Sequence, residues 1–147
     1  MTQLSEHFTL EELTQSDIAV RKGLDNTPDD DSLENLKELA LYLEQIRALL
    51  GVQMHINSGY RAPEVNAAVG GSSHSAHMRG EAADFIAPDF GTPQEIAKVI
   101  INNGAIEFDQ IIYEGTWVHF AISDKMRRQV MTAHFAGGHA TYTAGIA

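Results

Sequence analysis

The strongest pattern along the chain lies between residues 32 and 51, "SLENLKELALYLEQIRALLG". Leu33, Leu36, Ala40, Leu43, Ile46 and Leu50 recur at spacings of three and four, with charged residues between them. That period puts the apolar side chains on one stripe of a helix, and Gly51 is placed to end it. Such a stripe is core. A second helix is predicted over "GTPQEIAKVIINNG", where Thr92 is the N-cap, Pro93 takes the first helical position, Glu95 completes a capping box and Asn103-Gly104 closes the element. Near the start, Thr9 and Glu12 in "LSEHFTLEEL" match another capping box and predict a short helix. Residues 23–31, "GLDNTPDDD", form a polar loop.

Elsewhere the period falls to two. "VQMHINSGY" alternates as a strand with Val52, Met54 and Ile56 on one side, and "EAADFIA" is a second short strand. Between them "RAPEVNAAVGGSSHSA" is a loop with one helical turn begun at Pro63. "FDQIIYEGTWVHFAI" predicts a β-hairpin turning at Gly115-Thr116, a glycine-first pair that suits right-twisted strands. In that register Tyr113 faces Val118 and Ile112 faces His119. Ile112, Glu114, Trp117 and His119 then share one face, and Val118, Phe120 and Ile122 take the core face. The final stretch starts basic and becomes rich in small residues, so a poorly ordered or extended tail is expected over residues 131–147, behind a domain of residues 1–130. Helices flanking a few strands make this an α+β domain.

Composition narrows the function. A chain of 147 residues suits one domain with a real core. Ten Lys+Arg against 20 Asp+Glu give a net charge of −10, which repels phosphate backbones, and aromatics at 7% offer little base-stacking surface, so nucleic acid is excluded as a partner. Without cysteine there is no disulfide framework, and any transition-metal site must use His, Asp or Glu. No apolar run approaches a membrane span and no stretch reads as a signal peptide. The expectation is a soluble chain, cytoplasmic as synthesised, with no membrane insertion.

The candidate chemistry begins at "SAHMRGEAAD", residues 75–84, where His77 and Asp84 stand on either side of an Arg79-Gly80 turn. They are either two polar residues of a surface loop or two ligands in need of a third. Asp84 interrupts a small, apolar strand, and a buried aspartate is costly unless it is paired or metal-bound. His119 lies on the polar face of the predicted hairpin beside Glu114, which fits a metal ligand next to a general base, or a strand histidine bonded to an acid. Together, His77, Asp84 and His119 supply two imidazoles and one carboxylate, the protein ligand set of a catalytic zinc site with a fourth position open. The helix-borne HExxH arrangement is absent. His7, His55, His74, His134 and His139 are read as structural or exposed.

These residues fall in a recognisable order. Ser58-Gly59-Tyr60-Arg61, then Asn66 before Gly70-Gly71, then Ser75-x-His77-x-x-Gly80-x-Ala82-x-Asp84, then Trp117-x-His119 follow one another along the chain. From about Leu4 to about Val130 the sequence resembles the zinc D-Ala-D-Ala carboxypeptidase family, in its phage and bacterial murein peptidase branch. The resemblance implies one zinc ion per chain on His77, Asp84 and His119, on the face of a small antiparallel sheet flanked by helices. It implies that Arg61 and Ser75 face the substrate; Trp117 is a further candidate contact as a wall of the cleft. It also implies hydrolysis of peptidoglycan stem peptides at a bond of the D-Ala-D-Ala or L-Ala-D-Glu type. Separately, a monomer is expected, and without a signal peptide it would reach the wall after release, as a phage endolysin does, or by an export route. Several members place an acid three residues before the last histidine, where this chain has Thr116. Glu114 is the nearest acid and is assigned the base, with Arg61 as the group that stabilises developing charge. The alternatives are a zinc-holding module of the same fold that binds wall peptide without cutting it, and a structural or assembly part of a phage particle, which predicts no metal.

Overall fold

The computed structural model describes residues 2–147. Five helices and six strands follow in the order α1 (Leu10–Thr14), α2 (Asp17–Lys22), α3 (Asp30–Leu50), β1 (His55–Ser58), α4 (Pro63–Ala68), β2 (Ala82–Ile86), α5 (Pro93–Asn103), β3 (Gln110–Tyr113), β4 (Val118–Ala121), β5 (Gln129–Ala136) and β6 (His139–Ala144), with a 3-10 turn at Ala76–Arg79 before β2. The fold is the expected α+β domain.

Both predicted capping boxes form. Thr9 accepts from the Glu12 amide and Thr92 from the Glu95 amide, with each glutamate reaching back to its cap. Residues 4–8 lie outside α1. Asp29 caps α3 by accepting from Ser32 N at 2.8 Å, so the helix takes Asp30 and Asp31 from the expected loop. Its stripe is Leu36, Leu39, Ala40, Leu43 and Ile46, all at 0% exposure. Leu33 is only half-buried, because the first turn of α3 sits at the edge of the core. The helix α2 goes beyond the predicted elements: Ser16 caps it and Gly23 ends it at φ 66°, but it buries only Ala19, so it shows no apolar stripe. α3 and α5 pack on each other, and with Ile56, Phe85, Phe108 and Phe120 they close one core on one face of the sheet. Burying each large side chain contributes roughly 1.5–3 kcal/mol.

The sheet runs β1-β2-β4-β3-β5-β6. All neighbours are antiparallel except β3 and β5, which are parallel. The hairpin register is the predicted one, Ile112 opposite His119 and Tyr113 opposite Val118, with Gly115 at φ 82° in the turn. One transverse row across the sheet reads Ser58, Asp84, His119, Ile112, Met131, Ala144. Directly opposed residues share a face, so Asp84 and His119 project together, away from the core.

Residues 131–147, expected as a tail, instead complete β5 and form β6. β5 pairs with β3 and β6, and a clasp that sequence periodicity does not reveal ties its start to the segment before β3. Arg127 donates from Nε and its terminal nitrogen to the two oxygens of Asp109, both at 2.9 Å, and its amide also reaches Asp109 at 3.1 Å. Arg128 donates to the Ile106 carbonyl at 3.0 Å, and its guanidinium lies 4.4 Å from the Phe108 ring centre. Met126 and Arg128 adopt positive φ, 42° and 53°, a strained backbone that these contacts offset. Among the described residues no helix is long and apolar enough to cross a membrane.

Candidate metal centre

Three elements converge on the polar face of the sheet. Asp84 comes from the middle of β2 and His119 from β4, in register. His77 comes from the 3-10 turn that lies over them. Ser75 starts that turn by accepting from His77 N at 3.2 Å. Gly80 ends it at φ 73°, donating its amide to the Ala76 and His77 carbonyls. A Cβ at Gly80 would lie 2.4 Å from the Ser32 carbonyl oxygen, so the turn can seat against α3 only because this residue has no side chain. Gly59 has a similar part: a Cβ there would meet the Leu13 carbonyl at 2.3 Å, and its own carbonyl accepts from His77 Nδ1 at 2.7 Å.

Ligand-type atoms of His77, Asp84 and His119 all lie within 4.8 Å of one another. His77 Nε2 stands 3.4 Å from Asp84 Oδ1, and His119 Nδ1 stands 3.0 Å from the same oxygen. The two imidazole centres are 5.2 Å apart. His77 is 2% and His119 9% exposed. Burial pushes the His77 pKa down, against the pull of Asp84, so its neutral form is favoured. Burial alone would raise the Asp84 carboxyl, but the attraction of a protonated His77, with hydrogen bonds from His119 and from that protonated ring, outweighs it and holds the group well below the usual carboxylate range. With Nδ1 donating to Gly59, a neutral His77 turns the Nε2 lone pair toward a carboxylate oxygen. Two lone pairs at this separation repel unless a cation or a proton sits between them. The donor set therefore fits a metal ion: nitrogen and oxygen ligands, one fixed tautomer, and a backbone carbonyl orienting the outer nitrogen.

The centre opens into a cleft of about 570 Å³. Arg61, Ser75, Glu114 and Trp117 all line it. Trp117 Nε1 donates to Glu114 Oε2 at 2.7 Å. Burial, and next the charge of Asp84, push the Glu114 carboxyl up, while His119, Trp117 and Arg61 pull the other way. Thr116 lies exposed in the turn, its amide donating to the Glu114 carbonyl at 3.0 Å. Arg61 is tied by its backbone amide to the His77 carbonyl at 3.0 Å. Among the described residues its guanidinium makes only a long contact to Ser75 Oγ, 3.4 Å, and its buried Nε has no hydrogen-bond partner. Burial lowers the Arg61 pKa, with Asp84 and Glu114 opposing. The side chain stays charged and keeps unused donors beside the metal centre.

His77, Asp84, His119, Arg61, Ser75, Glu114 and Trp117, the residues that the sequence assigns to the site, thus line one cleft. Of the remaining histidines, His74 is exposed at the rim, His7 pairs with Glu44 at 2.6 Å, and His55, His134 and His139 are exposed. Sequence reasoning missed the far wall, which β5 and β6 supply through Met131, Phe135, Ala140 and Tyr142. The signal for it was the alternation Met131, Ala133, Phe135 along β5.

No curated protein matches the chain. A family model described as peptidase M15 matches residues 6–121, a span that contains all three convergent side chains together with Arg61, Ser75, Glu114 and Trp117. The chain belongs to the peptidase M15 family, the zinc D-Ala-D-Ala carboxypeptidase type that its motifs resemble.

Proposed function

We propose that the protein is a zinc-dependent peptidase that cuts stem peptides of bacterial peptidoglycan. M15 peptidases are metal-dependent, and the observation that carries the reading is the convergence of His77, Asp84 and His119 beside a half-buried carboxylate in one cleft. These three residues would hold the ion. When bound, zinc supplies a Lewis acid that polarises a carbonyl oxygen and acidifies water to a pKa of about 7.

The chain's own residues do the rest. Glu114 is the general base. Trp117 occupies its Oε2, which leaves Oε1 to take a proton from the attacking water and return it to the leaving amine. A carboxyl raised by burial is a better proton carrier near neutral pH than an ordinary one. Arg61 offers its unpaired donors to a substrate oxygen as negative charge develops there. Ser75, which caps the turn bearing His77, couples the substrate's position to that of the ion. The expected site of action is the wall, reached after release or export.

The test is loss of turbidity of purified peptidoglycan, with new amino termini counted, for wild type and Glu114→Gln. Removing the base should cost roughly 10²–10⁴-fold. Zinc-loaded wild type that leaves the wall intact would replace the enzyme with a wall-binding module of the same fold.

A further inference from the structure

We infer that the β5–β6 hairpin forms an aromatic subsite of the cleft, in which Phe135 and Tyr142 take a sugar ring of the glycan that carries the scissile peptide. The inference rests on the peptidoglycan reading above and extends it to residues beyond the 6–121 match.

Placement comes first. Met131, Ala133 and Phe135 alternate onto one face of β5, and Tyr142 and Ala140 lie directly opposite Ala133 and Phe135. Phe135 and Tyr142 are therefore diagonal neighbours on one face. Met131 lies in the transverse row that contains Asp84 and His119, so this is the face that carries the metal centre. All four side chains Met131, Phe135, Ala140 and Tyr142 line the cleft that contains His77, Asp84 and His119. Tyr142 lines the same cleft as Glu114, and burial first, then the charge of Glu114, pushes its phenol up.

Exposure and anchoring come second. Phe135 is 59% and Tyr142 50% exposed, although both border a cleft. Aromatic faces left open there are surface waiting for a ligand. The wall is also held in place: the Arg127–Asp109 and Arg128–Ile106 contacts fix the start of β5 to the segment that leads into β3.

Chemistry decides the occupant. From Gln129 to Ala147 there is no Asp, Glu, Lys or Arg, and Arg127 at the base of the wall is already bound by both oxygens of Asp109. A charged part of the substrate would find no partner on this surface. The stem peptide carries ionised groups; the amino-sugar ring is neutral, with an apolar C–H face to lay on an aromatic ring and hydroxyls that can meet the Tyr142 phenol.

The test uses zinc-loaded Glu114→Gln, which binds without turnover, and calorimetry with two probes: the free stem pentapeptide, and the same peptide on its N-acetylglucosaminyl-N-acetylmuramyl disaccharide. The disaccharide form should bind on the order of 10-fold more tightly. Adding Phe135→Ala and Tyr142→Ala should remove that advantage and leave affinity for the free peptide unchanged; both residues are exposed, so thermal unfolding serves as the folding control. An advantage that survives both substitutions overturns the inference. So does equal weakening of both probes, which would give the wall to the peptide. Binding as expected with no cleavage by wild type would sink the peptidase reading alone, and no binding of either probe would sink both.

Discussion

Gly80→Ala tests whether the loop that delivers His77 is held by packing against α3. Gly80 has φ 73°, and an alanine there would place Cβ 2.4 Å from the Ser32 backbone oxygen and 3.0 Å from Leu36 Cγ. The left-handed backbone alone costs an alanine about 1–2 kcal/mol. The clash adds roughly 1–3 kcal/mol, because Ser32 is in the first turn of α3 and cannot yield without moving the helix. Gly104 is the control: it has the same φ, 73°, and a Cβ added there would meet nothing within 4 Å, so Gly104→Ala carries only the backbone cost. Urea unfolding of the metal-free proteins should rank wild type above Gly104→Ala above Gly80→Ala, the last about 2–5 kcal/mol below wild type. The strain should also reach the site, since Gly80 N–H bonds the His77 carbonyl. Zinc affinity should therefore fall in Gly80→Ala and not in Gly104→Ala. Equal stability and equal zinc affinity in the two variants would refute the close approach.

Three further substitutions probe the base, the clasp and the core. In Trp117→Phe the hydrogen bond that lowers the Glu114 pKa is lost, so the acid limb of the kcat/KM profile should move to higher pH; an unmoved limb would remove Glu114 from the base role. Arg127→Ala should cost about 1–2 kcal/mol near neutral pH, a modest figure because Arg127 is half exposed and screened by water. Arg127 holds the Asp109 carboxyl below its ordinary range, so this stabilisation is present above the unfolded aspartate value of about 3.9 and is lost as pH falls below it; urea midpoints measured down the acid range should show the loss in wild type and a flatter response in the variant. Leu43→Ala, at a fully buried position of α3, should cost roughly 2–5 kcal/mol in the same urea assay, and a loss under about 1 kcal/mol would show that the helix stripe is not the core.

The parts of this fold that are legible in the sequence are those whose cause is local. Thr9 and Thr92 each meet the amide of a glutamate one helical turn on, and such a pair declares itself. Asp29 caps α3 in the same way, but it stands in a run of three aspartates that looks like loop. The β3–β4 register follows from one glycine-first turn, and from it comes the shared face of Glu114, Trp117 and His119. Leu39 lies outside the narrow stripe that the spacing defines, yet the wider face of α3 buries it. The six residues of α2, with Val20 at 81% exposure, carry no period at all. The β5–β6 hairpin depends on a clasp between Arg127 and Asp109, 18 positions apart, and on a parallel pairing with β3 that no turn announces. The site is legible because two histidines and a buried aspartate are chemically conspicuous. The aromatic wall is not, because Phe135 and Tyr142 look like any exposed aromatics until the strands that carry them are placed.

The central claim is that His77, Asp84 and His119 form one zinc site. Its most direct test is elemental analysis of the purified protein after zinc loading and dialysis, for wild type, His77→Ala and His119→Ala. The account predicts one zinc per chain in wild type and none retained in either variant, with all three folded by circular dichroism. Zinc-free wild type, or variants that keep their zinc, would contradict it.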